Sequence, residues 1–179
     1  LPEVRANPAE GAPSLTDLSS AFSSSSKSPP VGAGVTADHR LYTLRPNQNN
    51  GFDLISELPN LERQNVIGKP GESVRSVRYR DDRAYVVTFQ RTDPLYVLNL
   101  SDPADPYIEG DLEITGFSSY LHPLNDNLLL GLGYAANEQG REQGLKVSLF
   151  DVSTPSDPQE VRSLVLGDAG SYSEAMNHN

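Results

Sequence analysis

His39, His122 and His178 are the three histidines of a 179-residue chain that contains no cysteine. Paired with a carboxylate such as Glu174, a histidine can move protons for a hydrolase or lyase, and with further ligands such as Asp126 it can hold a metal. No two of the three stand at metal-ligand spacing within one helix or strand. His122 and His178 do lie a few residues into segments that read as first strands of successive sheets, so His122, Glu174 and His178 form the catalytic candidate set. A structural histidine capping a strand edge accounts for each of them more simply, and no metal or other cofactor is expected.

Arg75, Arg78, Arg80, Arg83 and Arg91 fall within seventeen residues whose acids are Asp81 and Asp82, a local excess of three positive charges. Strand alternation puts Ser76, Arg78 and Arg80 on one face and Val77 and Tyr79 on the other. An inward Arg78 would read a carboxylate or sulfate, and with His122 it is the candidate ligand-binding pair. The structural reading, which is favoured, pairs these arginines with acids of neighbouring strands such as Asp93 or Glu113.

Gly131-Leu132-Gly133-Tyr134-Ala135-Ala136 follows a strand, and Asp151 ends a later one, a superficial dinucleotide fingerprint. That fingerprint needs a helix to aim its N-terminus at a pyrophosphate. Residues 137–144 are polar, twice interrupted by glycine and too short. Asp151 corresponds instead to Asn99, where a short polar side chain caps a turn. Asn99-Leu100-Ser101 matches a glycosylation sequon, but its place between strand and turn already explains those residues.

The elements that must position these groups are strands. Ser101-Asp102-Pro103-Ala104-Asp105-Pro106 returns as Ser153-Thr154-Pro155-Ser156-Asp157-Pro158, a spacing of 52 residues, and an apolar run precedes each. Spacings of that order mark repeat architectures. Strands are expected at 41–45, 52–58, 74–80, 84–90, 95–100, 108–114, 118–122, 127–132, 145–152 and 161–166, separated by turn residues. They sort into fours, 74–114 and 118–166, with 41–58 as the last two strands of a preceding unit. Both Ser-x-Pro-x-Asp-Pro turns should join third strand to fourth, because proline lacks the amide a central ladder requires. Gly170-Ser171-Tyr172-Ser173 echoes Gly116-Phe117-Ser118-Ser119 and is expected to open another first strand. Val86, Val87, Phe89, Leu98 and Leu100, with Leu128, Leu130, Leu149 and Val152, are the expected inter-sheet core.

Four antiparallel strands per ~40–50 residues is the blade of a β-propeller. The fold expected is therefore all-β, a propeller fragment of about three four-stranded antiparallel blades over residues 35–179, fewer than the four to eight of a closed ring. Residues 1–34 read as a flexible leader or linker, with seven serines among the twelve residues from Ser19 to Pro30. A short helix through Leu15, Leu18 and Phe22, capped by Ser14, is the alternative there. The chain begins at Leu1, which reads as processing, excision or a fragment.

Net charge is −10 with mean hydropathy −0.47, and residues 74–179 carry sixteen acids against eight bases. Such a surface repels phosphate backbones and anionic lipid, so nucleic acid is not an expected partner. No apolar run approaches the ~20 residues of a membrane helix.

Residues 72–123 resemble bacterial and archaeal secreted proteins with a C-terminal β-propeller domain, a family without an assigned activity. The resemblance is carried by Ser76-Val77-Arg78-Tyr79, Ala84-Tyr85-Val86-Val87-Thr88-Phe89, Asp93-Pro94-Leu95-Tyr96-Val97, Leu100-Ser101-Asp102-Pro103 and Gly116-Phe117-Ser118-Ser119-Tyr120-Leu121-His122-Pro123. It continues through Gly144-Leu145-Lys146 and Phe150-Asp151-Val152 to Tyr172-Ser173-Glu174-Ala175. Asn99 stands where the family usually has Asp, and Asn177-His178-Asn179 where it has Asp-His and a basic residue. The resemblance implies a propeller and a secreted or cell-envelope location. The function expected is an exported binding or interaction module for a protein, peptide or glycan; a hydrolase or lyase assembled at the inner rim is the rival. A piece with open blade edges is expected to self-associate.

Overall fold

The computed structural model describes residues 38–89, 93–137, 139 and 141–176. The segment 1–34, with its helix alternative, lies outside them, as do Arg91 and His178. Antiparallel strands make up three successive sheets. The first is a hairpin of β1 (Leu41–Pro46) and β2 (Phe52–Leu58). The second holds β3 (Ser73–Arg80), β4 (Arg83–Phe89), β5 (Asp93–Asn99) and β6 (Tyr107–Ile114), paired in chain order. The third repeats that order with β7 (Phe117–Pro123), β8 (Leu128–Ala136), β9 (Glu142–Asp151) and β10 (Gln159–Leu166).

Each of the ten strands expected between residues 41 and 166 is present, and the turns explain where strands stop. Asp81 takes a positive φ of 49° in the β3–β4 turn, a conformation that Asp tolerates better than most residues. The Asn125 side chain accepts from the amides of Asn127 and Leu128, both at 2.9 Å, which closes the β7–β8 turn. Both Ser-x-Pro-x-Asp-Pro segments do link third strand to fourth. Asn99 Oδ1 accepts from the Ser101 amide at 3.0 Å, and Asp151 Oδ1 from the Ser153 amide at 2.9 Å. The turn inside each closes with Asp105 N to Asp102 O at 3.1 Å and Asp157 N to Thr154 O at 2.9 Å.

Two apolar cores alternate with the sheets. Leu41, Leu58, Ile67, Ala84, Val86, Tyr96 and Leu98 pack between the hairpin and β3–β6. Tyr85, Val87, Leu95, Val97, Ile114, Leu121, Leu129, Phe150 and Val152 pack between the two four-stranded sheets. The β4 run Ala84–Val87 serves both, odd residues on one side and even on the other.

Two expectations need correction. Leu128, Leu130 and Leu149 are half-buried, and the core is filled by Leu129 and Phe150, because the two-residue period sends the former to the face turned away from β3–β6. The segment after Gly170 forms no strand: Gly170 adopts φ 88°, matching φ 87° at Gly116, but Glu174–Met176 is a single 3-10 turn. A first strand takes its ladder from the second strand of its own sheet, and none lies beside this segment among the described residues.

Candidate ligand-binding site

The four-stranded sheets approach each other most closely at their first strands, β3 and β7, and spread apart toward β6 and β10. Each first strand carries a β-bulge at a corresponding place, between Val74 and Ser76 in β3 and between Ser118 and Tyr120 in β7. Counting from the bulge puts Arg78 and His122 at corresponding positions. A bulge re-aims the residues around it.

Arg78 lies opposite Tyr85 in the ladder, so it shares the face that looks toward β7–β10, together with Ser76 and Arg80. It is half-buried and has no ion-pair or hydrogen-bond partner among the described residues. Its neighbours are committed elsewhere. Arg80 binds the Asn125 carbonyl and the Asp126 carboxylate. Arg83 reaches Asp82 at 3.1 Å and Glu109 at 3.4 Å. Arg75 is the bulged residue, and its guanidinium lies 5.1 Å from the Phe89 ring centroid and 5.6 Å from that of Phe117. Pairing with neighbouring acids thus explains Arg80 and Arg83 but neither Arg75 nor Arg78, and Glu113 takes Lys69 at 2.5 Å instead.

His122 likewise points away from the sheet that precedes its own. It pairs with Leu130 on the side turned from β3–β6, is exposed, and stacks at 6.2 Å on Tyr120, whose hydroxyl is 3.3 Å from its Nδ1. Arg78 and His122 therefore occupy like positions on successive sheets without sharing a pocket. Glu174 sits on the 3-10 turn, and no group of three His, Asp or Glu side chains converges among the described residues. His39 is structural in its contacts, donating from Nε2 to the Glu72 carbonyl at 2.8 Å.

The remaining chemistry is spoken for. Asp151 holds its turn, and the hydrogen bonds from the Ser153 hydroxyl and amide keep its carboxyl below the ordinary value. The Asn99 amide accepts from the Ser101 hydroxyl at 2.6 Å and donates to Glu109 at 3.1 Å, which absorbs the sequon. In the glycine-containing strand β8, a Cβ on Gly133 would strike the Phe117 carbonyl, and one on Gly131 would lie 2.7 Å from Phe150 Cε2. Those glycines serve strand packing. Glu72, 7 % exposed, was not singled out by sequence: its carboxylate accepts from Thr88 Oγ1 at 2.7 Å and from the Lys69 amide at 2.8 Å. Burial, and then the Glu72 charge, push the Tyr96 hydroxyl up to about 12. No sequence signal distinguishes Glu72 from the solvated acids around it.

A cleft of about 140 Å³ lies between residues 62–65 and β6. Its cation, Arg63, is already paired with Asp105 at 2.5 Å and lies over the Tyr107 ring at 4.9 Å. No helix among the described residues is long and apolar enough to cross a membrane.

Comparison with known proteins adds the following. Residues 27–179 match the family described as Beta propeller domain. An uncharacterised protein of Methanocaldococcus jannaschii is 42 % identical over 118 residues, 63 % of this chain and 17 % of that protein. An uncharacterised protein of Archaeoglobus fulgidus is 40 % identical over 124 residues, 66 % of this chain and 19 % of that protein. The chain thus spans less than a fifth of the curated relatives it matches. No solved structure matches it.

Proposed function

The chain belongs to the β-propeller domain family, and from that premise we propose that it is an exported binding module whose protein, peptide or glycan ligand presents a carboxylate or sulfate to Arg78. The observation that supports this is Arg78, half-buried as a residue and without a partner among the described residues, beside Arg75, Arg80 and Arg83, each of which is engaged. An unpaired guanidinium presents a planar fork of donors that suits oxyanions. Export is supported by the resemblance to secreted propeller proteins.

Titration calorimetry against sulfated glycans and acidic peptides tests the site. Arg78→Gln should remove binding while leaving the unfolding midpoint within a few degrees; binding that survives the change refutes the assignment. Turnover of a substrate library that His122→Ala abolishes would replace the binding module with the hydrolase or lyase. Fractionation of the source cell decides the location separately.

A further inference from the structure

Two hairpin turns are built alike. Asn47 follows β1 and Asn137 follows β8, and residues 47–51 and 137–141 each lead directly into the next strand. Asn47 Oδ1 accepts from the amides of Asn49 and Gly51, both at 3.0 Å. Asn137 Oδ1 accepts from those of Gln139 at 3.0 Å and Arg141 at 2.9 Å. The backbone closes each turn in the same way, Asn47 N to Gly51 O at 2.9 Å and Asn137 N to Arg141 O at 3.0 Å. In sequence, Asn50 and Gly51 therefore stand where the other turn has Gly140 and Arg141.

This geometry does not require a glycine at 51. Gly51 takes no positive φ, and a Cβ on it would meet only the Asn47 side chain, at 3.4 Å or more, which is ordinary contact. Arg141 fills the like place with a long side chain. Asn50 is the residue under backbone constraint: it is exposed and takes a φ of 56°, a conformation that glycine and asparagine reach most easily. The pair matters chemically rather than sterically. The side-chain carbonyl carbon of an asparagine is open to attack by the amide nitrogen of the next residue. A side chain on that residue obstructs the approach, and glycine leaves it clear.

We propose that Asn50 is a self-modification site, where the Gly51 amide nitrogen closes on the Asn50 side chain, and that the Asn47 carboxamide guards it. The nitrogen gives its proton to solvent hydroxide and bonds to Asn50 Cγ. The Cγ–Nδ2 bond breaks, Nδ2 takes a proton from water and leaves as ammonia, and a succinimide ring remains. One water then opens the ring. Breaking the Cγ–N bond gives aspartate, whereas breaking the bond between the nitrogen and the backbone carbonyl carbon gives isoaspartate, whose main chain is longer by one carbon. Nothing is oxidised or reduced. In the closed turn the nitrogen is held back, because its hydrogen points at Asn47 Oδ1 and the carbonyl of the same residue accepts from the Asn47 amide. Asp53 Oδ1, accepting from Asn47 Nδ2 at 2.9 Å, fixes the carboxamide in that orientation. Opening of the hairpin releases the nitrogen, so the modification records opening, and each event replaces a neutral amide with a carboxylate.

Incubation of the 179-residue chain in mildly alkaline buffer, with and without urea, tests this when followed by peptide mass mapping and isoaspartyl methyltransferase labelling. Asn50 should convert in urea, and about tenfold or more slowly in the folded chain, where only the open fraction reacts. Asn47→Ala should bring the folded rate close to that in urea. Gly51→Arg, which copies the turn that holds Arg141, should keep the wild-type circular dichroism and nearly abolish conversion at Asn50 in both conditions. An Asn50 that stays unconverted in urea, or converts as fast in Gly51→Arg, would overturn the site. Equal rates in buffer and urea, or a folded rate that Asn47→Ala leaves unchanged, would overturn the guard. Should Asn47→Ala lose the fold, the wild-type ratio between buffer and urea still decides.

Discussion

At the scale of single residues, burial decides which polar groups can be found from sequence. Arg78 is readable because strand alternation places it, but its lack of an acid partner among the described residues depends on where Arg80, Arg83 and Glu113 turn, which spacing does not contain. Glu72 and Tyr96 are invisible in the same way: their coupling joins a loop to a central strand. Tyr96 offers a direct test. Its folded pKa, about 12, lies above the ordinary value of 10.0. A raised acid binds its proton more tightly when folded, so its contribution is complete below pH 10 and is lost as pH rises toward 12. Stability measured by urea unfolding should fall across that window by an amount on the order of 2 kcal/mol. Tyr96→Phe should flatten this segment of the profile, and an unchanged slope would show that Tyr96 ionises as freely folded as unfolded.

At the scale of elements, the strands and their turns are legible because they rest on local chemistry: alternation, proline and short polar caps. The choice of buried face is less so. In β8 and β9 both faces are apolar, Leu128 and Leu130 against Leu129, Val147 and Leu149 against Phe150, so alternation offers no polar side to mark the outside. Packing settles it, and mutation reads it out. Phe150→Ala empties a fully buried site and should cost ~3–5 kcal/mol. Leu149→Ala, on the open face, should cost well under half as much in dilute monomer; equal losses would contradict the facing. The paired turns carry a second test. Asp151 has its carboxyl held low by Ser153, whereas Asn99 at the corresponding place cannot titrate. A depressed carboxyl stabilises above its unfolded value and loses that contribution as pH falls through the folded one. Asp151→Asn should therefore weaken the acid-side loss of stability below pH ~4, whereas Asn99→Asp, which turns a donor to Glu109 into a second carboxylate beside it, should lower stability at neutral pH and recover part of it on acidification. Denaturant midpoints between acid and neutral pH measure both.

At the scale of the whole molecule, the three sheets hold together through cores that share strands, and this long-range order is what local pattern conveys least. β4 contributes to both cores, so loosening one sheet exposes apolar surface on the next. The polar contacts point the same way: Lys146, 6 % exposed, donates to the Thr115 carbonyl at 2.8 Å and pairs with Glu160 at 2.7 Å, pinning the third sheet to the link that leads out of the second. Gly110 is where the second sheet meets the turn of the third backbone to backbone. A side chain there would run into the backbone of Pro155 and Ser156 rather than into a flexible tip, so one turn or the other must withdraw. Gly110→Val should cost ~1–3 kcal/mol or more through overpacking. Its signature should be more than a lowered midpoint. With the outer ends of the sheets forced apart, calorimetric unfolding of the wild type as one transition should broaden or split, the β7–β10 amides exchanging before those of β3–β6. A variant that unfolds as a single transition, with uniform amide protection and an unchanged midpoint, would mean that the Pro155 turn yields without cost and that the sheets are joined at β3 and β7 alone.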